Sequence, residues 1–175
     1  MKLKNILGLF PKMHFHLSST KINEIKDSEQ KDAIFKPKGL WYSIGNKWIE
    51  WNEIEQVRQI CCYLYVIEPT EYTTLNKPDK NKVLLINTIP KVIQFSKKYK
   101  KQNNYDHVLI NWKKVAKDFG GIEFNPFFHF INNKKLKYVL WYTTLDIPSG
   151  CIWNKNLIKI KLLLENKNNK WKLTK

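Results

Sequence analysis

Between Gln59 and Glu68 the chain reads Gln-Ile-Cys-Cys-Tyr-Leu-Tyr-Val-Ile-Glu, a nearly continuous run of apolar and β-forming side chains. A run this short and this apolar predicts a buried strand. Around it the sequence breaks into short pieces. Alternation from Met13 to Ser19 predicts a first strand, and Leu40 to Ile44 a second, set off by Gly39 and by Gly45-Asn46. Pro69 to Asn81 reads as a loop. Lys82–Asn87, Ile122–Phe124, Lys137–Thr144, Cys151–Trp153 and Ile158–Leu164 read as further strands.

Helical spacing marks four other places. Thr20 caps a short segment holding Ile22 and Ile25. Trp48, Ile49, Trp51, Ile54 and Val57 give an amphipathic helix over residues 47–58. Ile89, Val92, Ile93, Phe95 and Tyr99 give another, ending in lysines that suit its dipole. Trp112, Val115, Ala116 and Phe119 give a third, stopped by Gly120-Gly121. Strands and short helices alternate without a regular βαβ rhythm. The expected class is therefore α+β: a compact mixed domain with two small, mainly antiparallel sheets and short helices. With 175 residues, one domain over 1–164 is expected, followed by a basic, flexible tail over 165–175.

The formal charge is +16, and it is uneven, with residues 131–175 alone carrying +8. Such a field favours an anionic partner, and nucleic acid fits it. Thirty of the 31 basic residues are Lys, and Arg58 is the only Arg. Lysine is a point charge that holds backbone, whereas guanine edges are read by the Arg fork, so weak sequence reading is expected. Three cysteines, Cys61, Cys62 and Cys151, make no disulfide framework and no zinc motif. With no apolar run of membrane-spanning length, a reducing, cytoplasmic setting is expected.

Two constellations could carry chemistry. On the first strand His16 and Ser18 share a face with His14, and a histidine beside a hydroxyl can hold a diol or an amide. His14 and His16 have no third ligand at motif spacing, so no metal site is expected. The second is Lys36-Pro37-Lys38-Gly39-Leu40-Trp41-Tyr42-Ser43, with Trp48 and Trp51 following. Glycine permits close backbone approach, and aromatics of this kind can sandwich a flat heteroaromatic ring. Cys151, after Gly150, reads as a small buried thiol rather than a nucleophile, with His107 and His129 the histidines that could approach it in space.

In order and spacing, His16-Leu17-Ser18, then Ile22 and Ile25, then Gly39-Leu40-Trp41-Tyr42-Ser43, then Trp48 and Trp51, residues 13–58 resemble the NAD-binding half of the ADP-ribosyltransferases. The resemblance implies NAD as co-substrate. It gives His16 and Ser18 the nicotinamide ribose and amide, and places Gly39, Trp41, Tyr42, Ser43 and Trp48 around the nicotinamide. It further implies a late carboxylate that stabilises an oxocarbenium-like transition state. Asp146 is the first candidate for that role and Glu123 the second. The implied activity is cleavage of the nicotinamide glycosidic bond and transfer of ADP-ribose to a nucleic-acid or protein acceptor. The related RNA 2′-phosphotransferases rank lower, because a single Arg is poor provision for holding a substrate phosphate. The alternative is a non-enzymatic basic protein that binds or packages nucleic acid, with lysines and aromatics as a stacking platform.

Overall fold

The computed structural model describes residues 3–31, 35–55, 61–101, 108–128, 139–168 and 170–174. Helix α1 spans Leu3–Gly8, and strands β1 His14–Ser18 and β2 Leu40–Ile44 are followed by α2 Lys47–Ile54. Then come β3 Tyr63–Pro69, β4 Tyr72–Thr73, β5 Asp79–Ile86, α3 Ile89–Tyr99, α4 Trp112–Asp118 and β6 Phe119–Phe124. Strands β7 Ser149–Ile152, β8 Ile158–Lys167 and β9 Lys170–Leu173 complete the chain.

The fold is α+β. In place of two small sheets there is one mixed sheet of nine strands in the order β4-β5-β6-β7-β2-β1-β3-β8-β9. Strands β4, β5 and β6 run parallel, and the remaining pairings are antiparallel. The buried strand β3 joins what the sequence suggests as separate sheets, because it pairs with β1 on one side and β8 on the other.

Both faces of the sheet are covered. On one face α3 and α4 pack against Leu84, Ile122, Phe124 and Cys151 through Phe95, Tyr99, Trp112 and Val115. Further along it, Leu7 of α1 covers Phe15, Leu64 and Val66. The opposite face carries Tyr42, Tyr65, Ile67, Val83 and Ile152, with Ile22 and Ile25 laid over them. Helix α3 starts as its sequence dictates: Thr88 accepts from the Lys91 amide and a proline stands in the first turn. Lys97 and Lys98 close it.

Four expectations give way to tertiary contacts. Residues after Thr20 form no helix, because their backbone groups find partners elsewhere. The Ile22 amide donates to Tyr65 Oη, and the Ser28 amide to the Trp153 carbonyl. Tyr142–Leu145 is a 3-10 turn rather than part of a strand. Trp141 and Tyr142 are both fully buried, and Thr143 and Thr144 bond back to the carbonyls three residues earlier. Gly120 and Gly121 lie within β6 and do not end a helix, since α4 stops at Asp118 with Phe119 as its cap. Where a frayed tail is expected, β8 runs to Lys167, Asn168 follows at φ 53°, and β9 pairs back on β8 over Lys170–Leu173. Asparagine tolerates that left-handed conformation. The expected C-terminal end of the helix over 47–58, the first two residues of the strand from Gln59, the start of the strand from Lys137, His107 and His129 lie outside the described residues. No helix among the described residues is long and apolar enough to cross a membrane.

Candidate active site

Register places the chemistry. Glu123 on β6 stands level with Gly150 on β7, and Gly150 with Tyr42 on β2. Side chains level with one another on neighbouring strands share a face, so Glu123 and Tyr42 point the same way with only Gly150 between them. A Cβ at position 150 would lie 2.7 Å from Tyr42 Cε2 and overlap Cζ and the hydroxyl. Glycine there is what lets the Tyr42 ring lie across β7. The ring spans that gap, and its hydroxyl donates to Glu123 Oε2 at 2.9 Å.

Two more groups meet the same oxygen. Tyr72, from the two-residue strand β4, donates to Glu123 Oε2 at 2.6 Å. His14 Nε2, on β1, is 3.2 Å from it. The His14 ring also meets Tyr42 edge-on, with centroids 5.1 Å apart, and its Nε2 lies 3.4 Å from Tyr72 Oη. Glu123 is only 3% exposed. Burial pushes its carboxyl pKa up, but hydrogen bonds from His14, Tyr72 and Tyr42 and the electrostatic pull of His14 outweigh that. The net effect holds Glu123 below the ordinary glutamate range. Burial and the Glu123 charge push both phenols well above the usual tyrosine value, so Tyr42 and Tyr72 stay protonated donors. The result is an ionised carboxylate sunk in the sheet under two phenols and an imidazole. Tyr72 and His14 also line an open pocket of ≈ 310 Å³ with Lys12, Ile67, Glu68 and Pro69.

His16 shares the face of His14 and Tyr42. The β1–β2 ladder ends at Phe15↔Ser43, and beyond it His16 Nδ1 donates to the Trp41 carbonyl at 2.6 Å. A carbonyl can only accept, so this bond fixes the proton on Nδ1. Burial lowers the pKa of His16 despite that bond, which favours a neutral ring with Nε2 free to accept.

The other sequence candidates are placed elsewhere. Trp41 and Ser43 alternate with Tyr42 along β2 and so point to the opposite face. Trp41 packs against the α3–α4 core and donates to the Pro37 carbonyl, while Ser43 is buried level with Phe15 and Ser149. They cannot flank one ring together with Tyr42. Gly39, at φ 152°, permits a close approach as expected, but to its own sheet: a Cβ would sit 2.8 Å from Cys151 Sγ. Ser18 Oγ closes a local turn with Thr20. Trp48 meets Trp51 in α2 with the rings tilted 53° and 6.1 Å apart, and its neighbour Ile49 packs with Leu7 and Phe15 on the face away from Tyr42. Asp146 is a turn residue at φ 66°, bracketed by an Ile147 amide bond to the Leu145 carbonyl, the geometry of a γ-turn. Cys151 is fully buried and its thiol is pushed well above the ordinary range by burial, so it is an inert core group.

Of the named residues, the fold therefore gathers His16, Tyr42 and Glu123 on one face. It adds His14, whose shared face is visible from strand alternation, and Tyr72, which lies in a segment that reads as loop. The chain matches no family model, no curated protein and no solved structure.

Proposed function

We propose that this chain is an NAD-dependent ADP-ribosyltransferase-like enzyme in which Glu123, not Asp146, is the carboxylate that faces the reacting ribose. One observation carries the reading: Tyr42 of the second motif donates to the buried Glu123 on the sheet face that also carries the motif histidine His16, while the histidine in contact with Glu123 is its strand neighbour His14. The resemblance of residues 13–58 requires a histidine, an aromatic and a carboxylate, and Glu123 supplies the last at a place where its charge is already organised.

In this reading the bond between ribose C1′ and the nicotinamide nitrogen breaks, and its electron pair leaves with neutral nicotinamide. The positive charge left on the ribose is stabilised by Glu123, whose negative charge stays held by Tyr42 and His14 when Tyr72 has turned away. An acceptor oxygen or nitrogen then forms a bond to C1′ and releases its proton to water. Neutral His16, with Nε2 as acceptor, suits a ribose hydroxyl or an amide N–H. Tyr72 is 39% exposed and covers Glu123, so the reaction requires its side chain to turn out toward the pocket.

The test is release of nicotinamide from NAD, followed by mass spectrometry, for the native chain and for Glu123→Gln. Gln keeps the shape and removes the charge, and the expected loss is about hundredfold or more. Release that is absent from the native chain, or unchanged in the variant, rules the assignment out.

A further inference from the structure

We propose that the open groove at the β8–β9 hairpin binds the sugar-phosphate backbone of a single-stranded nucleic acid. The groove has a volume of ≈ 520 Å³, and Lys21, Lys161, Lys167 and Lys172 line it. The one carboxylate among the described residues of that lining, Glu165, is held by Lys167 at 2.9 Å, which leaves these residues at +3 from four lysines and one glutamate. All four lysines are exposed. Leu173, 76% exposed, adds apolar surface at the rim.

Register shows where this groove looks. Glu165 stands level with Lys172 and with Tyr63, and Lys167 with Lys170. Tyr63 shares its face with Tyr65, which is level with His16. Glu165, Lys167 and Lys172 thus stand on the sheet face that carries the Glu123 site, whereas Lys161, level with Val66 beyond the β8 bulge, stands on the other. In the sheet order Glu123 on β6 lies five strand spacings from β8, about 24 Å, with His14 and His16 of β1 in between.

The chemistry selects the partner. The four lysines come from the loop after β1, from β8 and from β9, and cluster their point charges around one groove. Such a cluster suits the closely spaced phosphates of a polymer, and without Arg it makes no bidentate contact to bases. Guarding an open sheet edge accounts for Lys170 and Lys172 on β9. It does not account for Lys21, which comes from the loop after β1, or for Lys161 on β8. That the bound strand also serves as ADP-ribose acceptor rests on the reading of Glu123; the binding itself does not.

Fluorescence anisotropy of a labelled oligothymidylate, without NAD, tests the surface. We compare the native chain, K161Q/K167Q/K172Q, and the control K80Q/K100Q/K117Q, which loses the same charge elsewhere. The groove variant is expected to weaken binding about tenfold and to lower the slope of log K against log salt by about 2, for three lost phosphate contacts on a single strand. The control is expected to change affinity by about threefold or less, as a long-range effect of net charge. Glu123→Gln binds the oligonucleotide like the native chain, so failure of the enzyme reading leaves this result standing. Equal losses in the two triple variants, no binding by the native chain at low salt, or equally tight binding of polyglutamate would overturn the proposal.

Discussion

Gly150→Ala adds one methyl group at the point where Tyr42 crosses β7. The new Cβ would stand 2.7 Å from Tyr42 Cε2 and nearer still to Cζ and the hydroxyl. Carbon atoms in contact prefer about 3.5–4.0 Å, so the ring must move by about 1 Å. It has little freedom to do so: Tyr42 is 1% exposed, and the His14 ring abuts it. Overpacking of this kind costs about 1–3 kcal/mol. The displaced hydroxyl also loses its 2.9 Å bond to Glu123. A hydrogen bond to a buried charge contributes about 1.5–3 kcal/mol. The two costs overlap, and the expected loss is about 3–5 kcal/mol, a drop in Tm on the order of 10 °C for a chain of this size. Urea unfolding followed by tryptophan fluorescence measures it. Gly8→Ala is the control, because a Cβ there meets only Asn46 Nδ2, at 3.8 Å. It shares the entropic effect of replacing glycine without the collision. If Gly150→Ala unfolds within about 0.5 kcal/mol of the native chain, the span of Tyr42 over Gly150 is not what this reasoning requires.

Asp146→Gly relieves the left-handed backbone at φ 66° and should stabilise the fold by up to about 1 kcal/mol. It should leave nicotinamide release unaltered, and a large loss of release would return the carboxylate role to Asp146. The pH dependence follows from two depressed groups. Glu123, held below the ordinary value, contributes stability that is full above about pH 4.3 and is lost as pH falls through its folded pKa. The stability gap between the native chain and Glu123→Gln should therefore close in acid. His16, also depressed, contributes stability present above about pH 6.5 and lost as pH falls below it. His16→Gln should flatten the fall in urea midpoint between about pH 7 and pH 5, and a slope identical to that of the native chain would contradict the buried, neutral imidazole.

How much of the molecule is legible in the sequence depends on how local the cause is. The helix from Ile89 is readable because its cap, its proline and its buried residues Val92, Phe95 and Tyr99 all lie within one segment. So is the alternation of β1, which by itself puts His14 and His16 on one face. The sheet count is not, because β3 joins β1 and β8 through pairings between residues about 50 and 100 positions apart in the chain. The same holds at the site. Trp41-Tyr42-Ser43 looks like one cluster because the residues are consecutive, yet consecutive strand residues face opposite ways. Tyr72 carries no signal, since its role depends on β4 lying beside β5 and near β6. Glu123 ranks behind Asp146 in the sequence because a turn rich in Pro, Ser and Gly looks specified. What specifies that turn is the backbone and the glycine under Tyr42.

The remaining question is whether Glu123 serves the fold or the chemistry, and energetics separates the two. An ionised carboxylate buried in a sheet costs several kcal/mol in desolvation, which Glu123 offsets only through Tyr42, Tyr72 and His14. Apolar side chains at 42, 72 and 123 would fill the same space without that cost, so the network is a poor device for stability. Three donors converging on one oxygen are instead a good device for holding a negative charge at a fixed point without help from water. If the fold is the purpose, a triple variant with Glu123→Leu, Tyr42→Phe and Tyr72→Phe should lose stability, and nicotinamide release only in proportion to it. If the charge is the purpose, the same variant is as stable, but nicotinamide release is gone. Stability retained with release abolished identifies Glu123 as a residue kept for reaction, at a cost that Gly150, Tyr42 and Tyr72 are arranged to reduce.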